Sequence, residues 1–357
     1  MKKLILIPLI IVLAVSFIFA GCGKETPAPA PAPAPAPTPA PAPITLKIAD
    51  FTQVGQLENV MLKWWGDELM KRTNNAVKCE YYFNETLAKQ KELLDAVSTG
   101  MADVAIVYGC FHQQQVPIIF VHRTPGMPTT DHYTACWAYD QLLKEDATVA
   151  ELKRTNLVGL FGFGHTGDYI FSSKPVKSLA DFTGLKFASS GLYSSAFKAW
   201  GGEVVEIASP EIYEGMKRGM IDACNKPLAQ MLTMNMYEVS PYLAVPKIGF
   251  TMLAATMNMD TWNNKLTPEI RNVITNLNLE LPKKAAEIGA QDDVKFMEQI
   301  KAKNVTISTL PEADLAKATE MVQFLWDQWA DDLNSRGLPG TDLKNKYLGW
   351  LTQGPPK

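Results

Sequence analysis

Residues able to do acid–base or nucleophilic work are few and scattered along this chain of 357 residues. The histidines are His112, His122, His132 and His165, and the first three recur at ten-residue intervals that match no helical metal motif. The cysteines Cys79, Cys110, Cys136 and Cys224 fit no metal-ligand spacing either. They allow three disulfide pairings, with free buried thiols as the equal alternative. Gly162 and Gly164 lead into His165, but the third glycine and the helix start of a dinucleotide fingerprint are missing. No Gly-x-x-x-x-Gly-Lys-Ser/Thr phosphate loop is present. An enzyme needs an acid, a base or a nucleophile that converge, and this inventory offers none. The expectation is a non-enzyme with no metal and no cofactor. Basic and acidic residues are interspersed at a net charge of −3, which leaves no stripe for nucleic acid.

What remains is binding, and the elements that would position a binding site repeat. Glu92 to Asp103 (Glu-Leu-Leu-Asp-Ala-Val-Ser-Thr-Gly-Met-Ala-Asp) matches Glu211 to Asp222 (Glu-Ile-Tyr-Glu-Gly-Met-Lys-Arg-Gly-Met-Ile-Asp). Both runs are amphipathic and stop at a glycine, the residue best suited to a left-handed helix end. Upstream, Leu46 to Asp50 (Leu-Lys-Ile-Ala-Asp) echoes Leu185 to Ser189 (Leu-Lys-Phe-Ala-Ser). The first unit predicts a strand at 45–50 and a helix burying Leu57, Val60, Met61, Trp64 and Trp65. A strand at 77–83, a helix at 90–99 and a strand at 103–108 follow. The second predicts strand 185–188, helix 192–200, strand 203–207, helix 210–218 and strand 221–224. Two βαβαβ units imply an α/β protein with two mostly parallel, helix-covered sheets. Beyond them, 252–259 and 305–308 read as strands. A helix from Pro268 to about Lys303 should kink at Pro282, and another runs from Pro311 to Leu333.

Ligands of parallel sheets gather beyond the carboxyl ends of the strands, where helix N-termini point. That rule selects Asp50 and Phe51, Tyr108, Ala188 to Ser190 (including Ser189), Ser209, Asn225 and Lys226. Most tryptophans sit at core spacing; Trp200 and Tyr193 are the aromatics nearest the second unit's ligand edge.

The N-terminus carries its own chemistry. Lys2 and Lys3, an apolar run from Leu4 to Phe19 and small residues before Cys22 describe a signal peptide over 1–21. Ala20-Gly21-Cys22 resembles a bacterial lipobox, whose cysteine sulfur is acylated; acyl chains on Cys22 would hold the protein at a membrane surface. Pro27 to Pro43 is a Pro-Ala repeat broken by Thr38, so 22–43 reads as a semi-rigid polyproline II tether.

Several runs are specific enough to suggest a family. Leu179 to Lys186 (Leu-Ala-Asp-Phe-Thr-Gly-Leu-Lys), Glu211 to Asp222, Tyr237 to Val239, Thr309 to Leu315 and Phe324 to Trp329 resemble the substrate-binding proteins of TRAP transporters, from about Thr45 to about Leu333. The resemblance implies a two-lobed periplasmic-binding-protein-like clamp with a long helix spanning both lobes. Lobe I would hold 44–167 and about 250–285, lobe II 168–249 and about 286–357. The protein would sit outside the cytoplasm, lipid-anchored, and hand a small-molecule solute to membrane permease subunits driven by an ion gradient. The binding component of an ATP-driven importer and a ligand sensor for a signalling receptor are the competing uses.

The resemblance also places Asp168 in the ligand cleft, just before the chain crosses into the second lobe. Family members typically carry an arginine two residues after Gly-Leu-Lys, whose fork holds a ligand carboxylate; here Ala188 stands there, and the expected carboxylate clamp is absent. Two ligand readings follow. Lys226, at a family position that often touches ligand, could hold an organic acid as a point charge. Alternatively Asp168, with Phe51, Tyr108 and Tyr193, would suit an amine or other cation, or a polar neutral solute.

Overall fold

The computed structural model describes residues 42–245 and 249–356. The signal segment, Cys22 and the tether up to residue 41 lie outside the described residues.

The first sheet opens with β1 (Ile44–Ala49), β2 (Val77–Tyr82) and β3 (Val104–Val107). β1 pairs in parallel with both of the others, Ile44 opposite Val77 and Ile48 opposite Val104. The helix Leu57–Arg72 links β1 to β2 and lays Leu57, Met61, Leu62, Trp65 and Leu69 on the core side. Glu58 and Asn59, in its first turn, are buried too, although their polarity argues against it. β4 (Leu157–Gly164) completes the first sheet's early strands, and the chain then leaves through 165–168 for β5 (Tyr169–Ser172) of the second sheet.

The second sheet adds β6 (Lys186–Ala188), β7 (Glu203–Val205), β8 (Ala223–Lys226) and β9 (Tyr242–Val245). The chain then returns to the first sheet as β10 (Met252–Asn258) and contributes β11 (Thr306–Thr309) to the second. The strand orders are β2-β1-β3-β10-β4 and β11-β9-β5-β8-β6-β7. Each sheet is parallel except for one strand. β10 runs against β3 and β4, and β5 runs against β8 and β9. These are the strands that enter directly from the two crossings between sheets, so they start at the edge where the other strands end.

Both repeat helices end as the glycines demanded: Gly100 at φ +78° and Gly219 at φ +70° adopt the left-handed conformation that stops a helix without side-chain strain. The long C-terminal helical stretch breaks beside Pro282 into Pro268–Asn278 and Leu281–Lys301. The second of these packs on helix His132–Leu142, on β4 and on helix Leu228–Thr233, so it touches elements of both sheets. Where it crosses the first connection, a Cβ on Gly289 would stand 2.8 Å from Thr166 Cγ2 and 3.0 Å from His132 Cε1. Only glycine admits that approach.

Two expected elements shift. β8 begins two residues later than the pattern suggested, which puts Asn225 and Lys226 inside the strand. The helix expected over 311–333 is broken at 321–323 into Glu312–Glu320 and Phe324–Ser335, and the chain adds a helix at Gly340–Gln353. Cys79, Cys110, Cys136 and Cys224 are all free. Trp200 is a core residue of the second sheet: it stacks edge-on against Phe182 and Phe197 and donates Nε1–H to the Ala318 carbonyl at 3.0 Å. Burying a side chain of that kind contributes about 2–3 kcal/mol.

Candidate ligand-binding site

The carboxyl ends of β1, β3, β6 and β8 open on one cleft, whose empty space of about 640 Å³ includes open solvent. Phe51, Tyr108, Asp168, Ala188, Ser189, Ser209, Asn225 and Lys226 all line it. Strand geometry explains the gathering, because residues just past parallel strands share one edge. The same wall also holds Glu58, Arg123, His165 and Thr251, none of which was selected from the sequence as a site residue.

On the first-sheet side, Asn59 fixes the loop after β1. It donates to Thr52 O at 3.1 Å and Gln53 O at 2.8 Å and accepts from Gly55 N at 2.8 Å. That loop carries Asp50, whose carboxylate accepts from Tyr108 Oη at 3.0 Å and from Thr52 N at 3.0 Å. Burial, with Glu58 nearby, pushes Asp50 up to about 7. Phe51 meets the Tyr108 ring edge-on at 5.0 Å, making an aromatic wall.

Two ion pairs cross the cavity floor. His165 Nε2 lies 3.0 Å from Glu58 Oε1, both residues buried. Burial works against the imidazolium, but the Glu58 carboxylate outweighs it and the shift is upward. Arg123, at the end of the 3₁₀ turn Ile119–Arg123, donates Nη2–H to Asp168 Oδ2 at 2.9 Å. Its Nη1 reaches Ser190 Oγ at 3.3 Å, and its guanidinium lies 5.3 Å from the Tyr193 ring centroid. Asp168 Oδ2 also accepts from Asn225 Nδ2 at 2.7 Å and Thr251 Oγ1 at 2.9 Å. Burial would raise this carboxyl, yet Arg123 holds it below its ordinary value. The free carboxylate expected at Asp168 is therefore an engaged one, and Tyr193 supports the arginine rather than lining the cavity.

Lys226 is different. Its Nζ donates to Ser209 Oγ at 2.8 Å, and among the described residues no carboxylate stands within ion-pair distance of it. Burial, reinforced by Arg123, lowers it to about 8. Ala188 lies on the cavity wall, and the cavity's guanidinium comes from Arg123. The signal that could have found Arg123 and Glu58 is a charge set among apolar neighbours: Val116 to Val121 precede the first, and Leu57 and Met61 flank the second.

No nucleophile–base pair is assembled around the cavity among the described residues. His132 bonds the Gly164 carbonyl at 2.8 Å, and burial lowers it to about 4. The Cys110 thiol, on the cavity wall, is pushed up by burial and is a poor nucleophile.

With this geometry in hand, comparison with known proteins is informative. The profile of the family described as bacterial extracellular solute-binding protein, family 7, matches residues 49–332. The chain is 25% identical over 278 residues to the C4-dicarboxylate-binding periplasmic protein of Rhodobacter capsulatus, covering 74% of this chain and 80% of that one. It superposes with a TM-score of 0.80 at 21% identity on a TRAP solute-binding protein from an unidentified marine microbe, described as specific for aromatic acid ligands and bound to 3-hydroxybenzoate; 88% of this chain and 100% of that one are covered. The periplasmic ectoine-binding protein of a Halomonas elongata TRAP transporter superposes at 0.75 with 18% identity, covering 86% and 99%.

Proposed function

This chain belongs to the bacterial extracellular solute-binding proteins of family 7, the TRAP solute-binding proteins, and from that premise we propose that it captures a small organic anion against Lys226, for delivery to a TRAP permease. Its relatives are solute-binding transport components rather than enzymes. They are described as binding C4-dicarboxylates, aromatic acids or ectoine, so membership alone leaves the ligand open.

The observation that carries the proposal is the charge on the cavity wall. Lys226 is a half-buried cation whose hydrogen-bond partner is a neutral hydroxyl. A desolvated charge without a counter-charge is costly, and an arriving carboxylate removes that cost. Phe51 and Tyr108 offer apolar faces to the ligand's carbon frame, and Ser189 and Asn225 offer hydrogen bonds. The proposed clamp divides the chain into lobe I, 44–167 with about 250–285, and lobe II, 168–249 with about 286–357, closing on the solute about the two crossings.

Thermal denaturation of the wild-type protein and of Lys226→Ala, across organic acids, amines and polyols, tests this reading, since a ligand of the folded form raises Tm. Organic acids should stabilise the wild type, and Lys226→Ala should weaken them by about a hundredfold. Stabilisation confined to amines or polyols would overturn the proposal.

The location is part of the same reading. Relatives are periplasmic, and the proposal adds acylation at Cys22 after removal of 1–21, with the Pro-Ala tether as spacer. Cys22→Ser should then leave the membrane fraction for the soluble extracytoplasmic one. A Cys22→Ser chain that stays with membranes would rule out the lipid anchor.

A further inference from the structure

Arg123, Lys226 and His165 line the cavity together with two carboxylates, Glu58 and Asp168. They are not distributed evenly. Glu58 takes His165 at 3.0 Å and Asp168 takes Arg123 at 2.9 Å. We propose, building on the organic-anion reading above, that Asp168 is an internal carboxylate that occupies Arg123 and so restricts the cavity to solutes carrying a single negative charge. Arginine's fork suits carboxylates in particular. Here the protein supplies that carboxylate itself, from the segment that joins the two sheets.

Several details show how firmly the seat is taken. Asp168 Oδ2 receives three donors, from Arg123, Asn225 and Thr251, so the carboxylate is held in place by both sheets. The side chains of Arg123 and Asp168 are 12% and 1% exposed, which keeps water from screening the pair. The guanidinium is pinned at its other end by Ser190 Oγ and the Tyr193 ring, and cannot swing out to meet a ligand without losing both. Asp168 Oδ1 and Glu58 Oε2 are buried without a hydrogen-bond partner. A second ligand carboxylate brought toward Arg123 or His165 would face those oxygens at like charge. Among the described residues that line the cavity, only Lys226 is left to neutralise a ligand anion. A monocarboxylate satisfies it, whereas a dicarboxylate buries one charge with no partner, a cost of the order seen when buried ion pairs are broken.

The count can be tested with substrates that differ at one end. Isothermal titration calorimetry on the purified full-length protein would compare D-glucuronate with D-glucarate, and 3-hydroxybenzoate with isophthalate. At least one monocarboxylate should bind, with its dicarboxylate partner weaker by about a hundredfold or more. In Asp168→Asn the guanidinium loses its internal anion but keeps a hydrogen-bonding neighbour of the same shape. The dicarboxylate should then gain at least about tenfold relative to its monocarboxylate partner. A wild-type protein that binds a dicarboxylate as tightly as its monocarboxylate partner would overturn the count and leave the organic-anion reading standing. So would a folded Asp168→Asn, melting near the wild type, that shows no gain. If Asp168→Asn does not fold, the wild-type pairs decide alone. Binding of none of these acids overturns the count; if amines or polyols bind instead, the organic-anion reading falls with it.

Discussion

The two copies of the internal repeat agree at one end of their strands and disagree at the other. At the amino ends, Asp103 Oδ2 accepts from Lys47 N at 2.8 Å, and its counterpart Asp222 Oδ2 accepts from Lys186 N at 3.1 Å. Each aspartate also holds a lysine, Lys265 at 2.7 Å in the first copy and Lys174 at 2.9 Å in the second. Each follows a glycine and a solvent-facing methionine, Met101 at 53% exposure and Met220 at 56%. At the carboxyl ends the chemistry reverses. The first copy follows β1 with Asp50 where the second follows β6 with Ser189, and it ends β3 on Val107 where β8 ends on Lys226. The shared motif stitches each first strand to its neighbour, while the cavity is lined by Ser189 and Lys226 in the second copy and by Phe51 and Tyr108, one residue further on, in the first. Building is repeated, and binding is individual.

The largest test of this comparison sets the two stitching aspartates against each other. Asp103 carries a third partner, the Thr261 hydroxyl at 2.5 Å, and its side chain is 3% exposed against 15% for Asp222. Asp103→Ala leaves the Lys47 strand amide and the buried Thr261 hydroxyl without their acceptor, so it should lower the unfolding free energy by about 3 kcal/mol. Asp222→Ala, in a wetter setting, should cost about 1 kcal/mol. Urea unfolding of both variants measures the difference. Equal losses would mean that burial does not separate the two copies, and a larger loss at Asp222 would invert the comparison.

The repeat was legible in the sequence because it depends on local features: a glycine that must adopt positive φ, an amphipathic turn before it, an aspartate after it. Seven of the eight cavity residues were legible for a related reason, since strand ends in a parallel sheet converge wherever the strands themselves are recognised; Asp168 came from the family resemblance instead. Arg123 and Glu58 were not, because their roles come from partners far along the chain, Asp168 forty-five positions away and His165 a hundred and seven. Nothing local distinguishes an arginine that pairs with a ligand from one that pairs with an aspartate. The same blindness led to Asp168 being weighed as a free anion. Trp200 failed differently: proximity to the second unit's ligand edge suggested the cavity, but its ring points into the Phe182 and Phe197 stack.

The smaller test concerns the acid that the second copy lacks. Asp50 is buried, accepts from Thr52 and Tyr108, and shares its surroundings with the Glu58–His165 pair. Its carboxyl is raised to about 7 from 3.8, by burial first and by Glu58 second. A raised acid binds its proton more tightly in the folded protein than in the unfolded chain. Its contribution to stability is therefore complete below about pH 4 and is lost as pH climbs through 7. Ser189, at the matching place in the second copy, has no proton to lose in this range and bonds to Asn225 Oδ1 at 3.2 Å instead. Asp50→Asn keeps the shape and removes the titration, so the fall in Tm between pH 4 and pH 7 should flatten relative to the wild type. Ser189→Ala should lower Tm slightly and leave the slope unchanged. If Asp50→Asn retains the full wild-type slope, the acid that shapes it lies elsewhere, with the buried Glu151, itself raised to about 7 by burial, as the next carboxyl to replace.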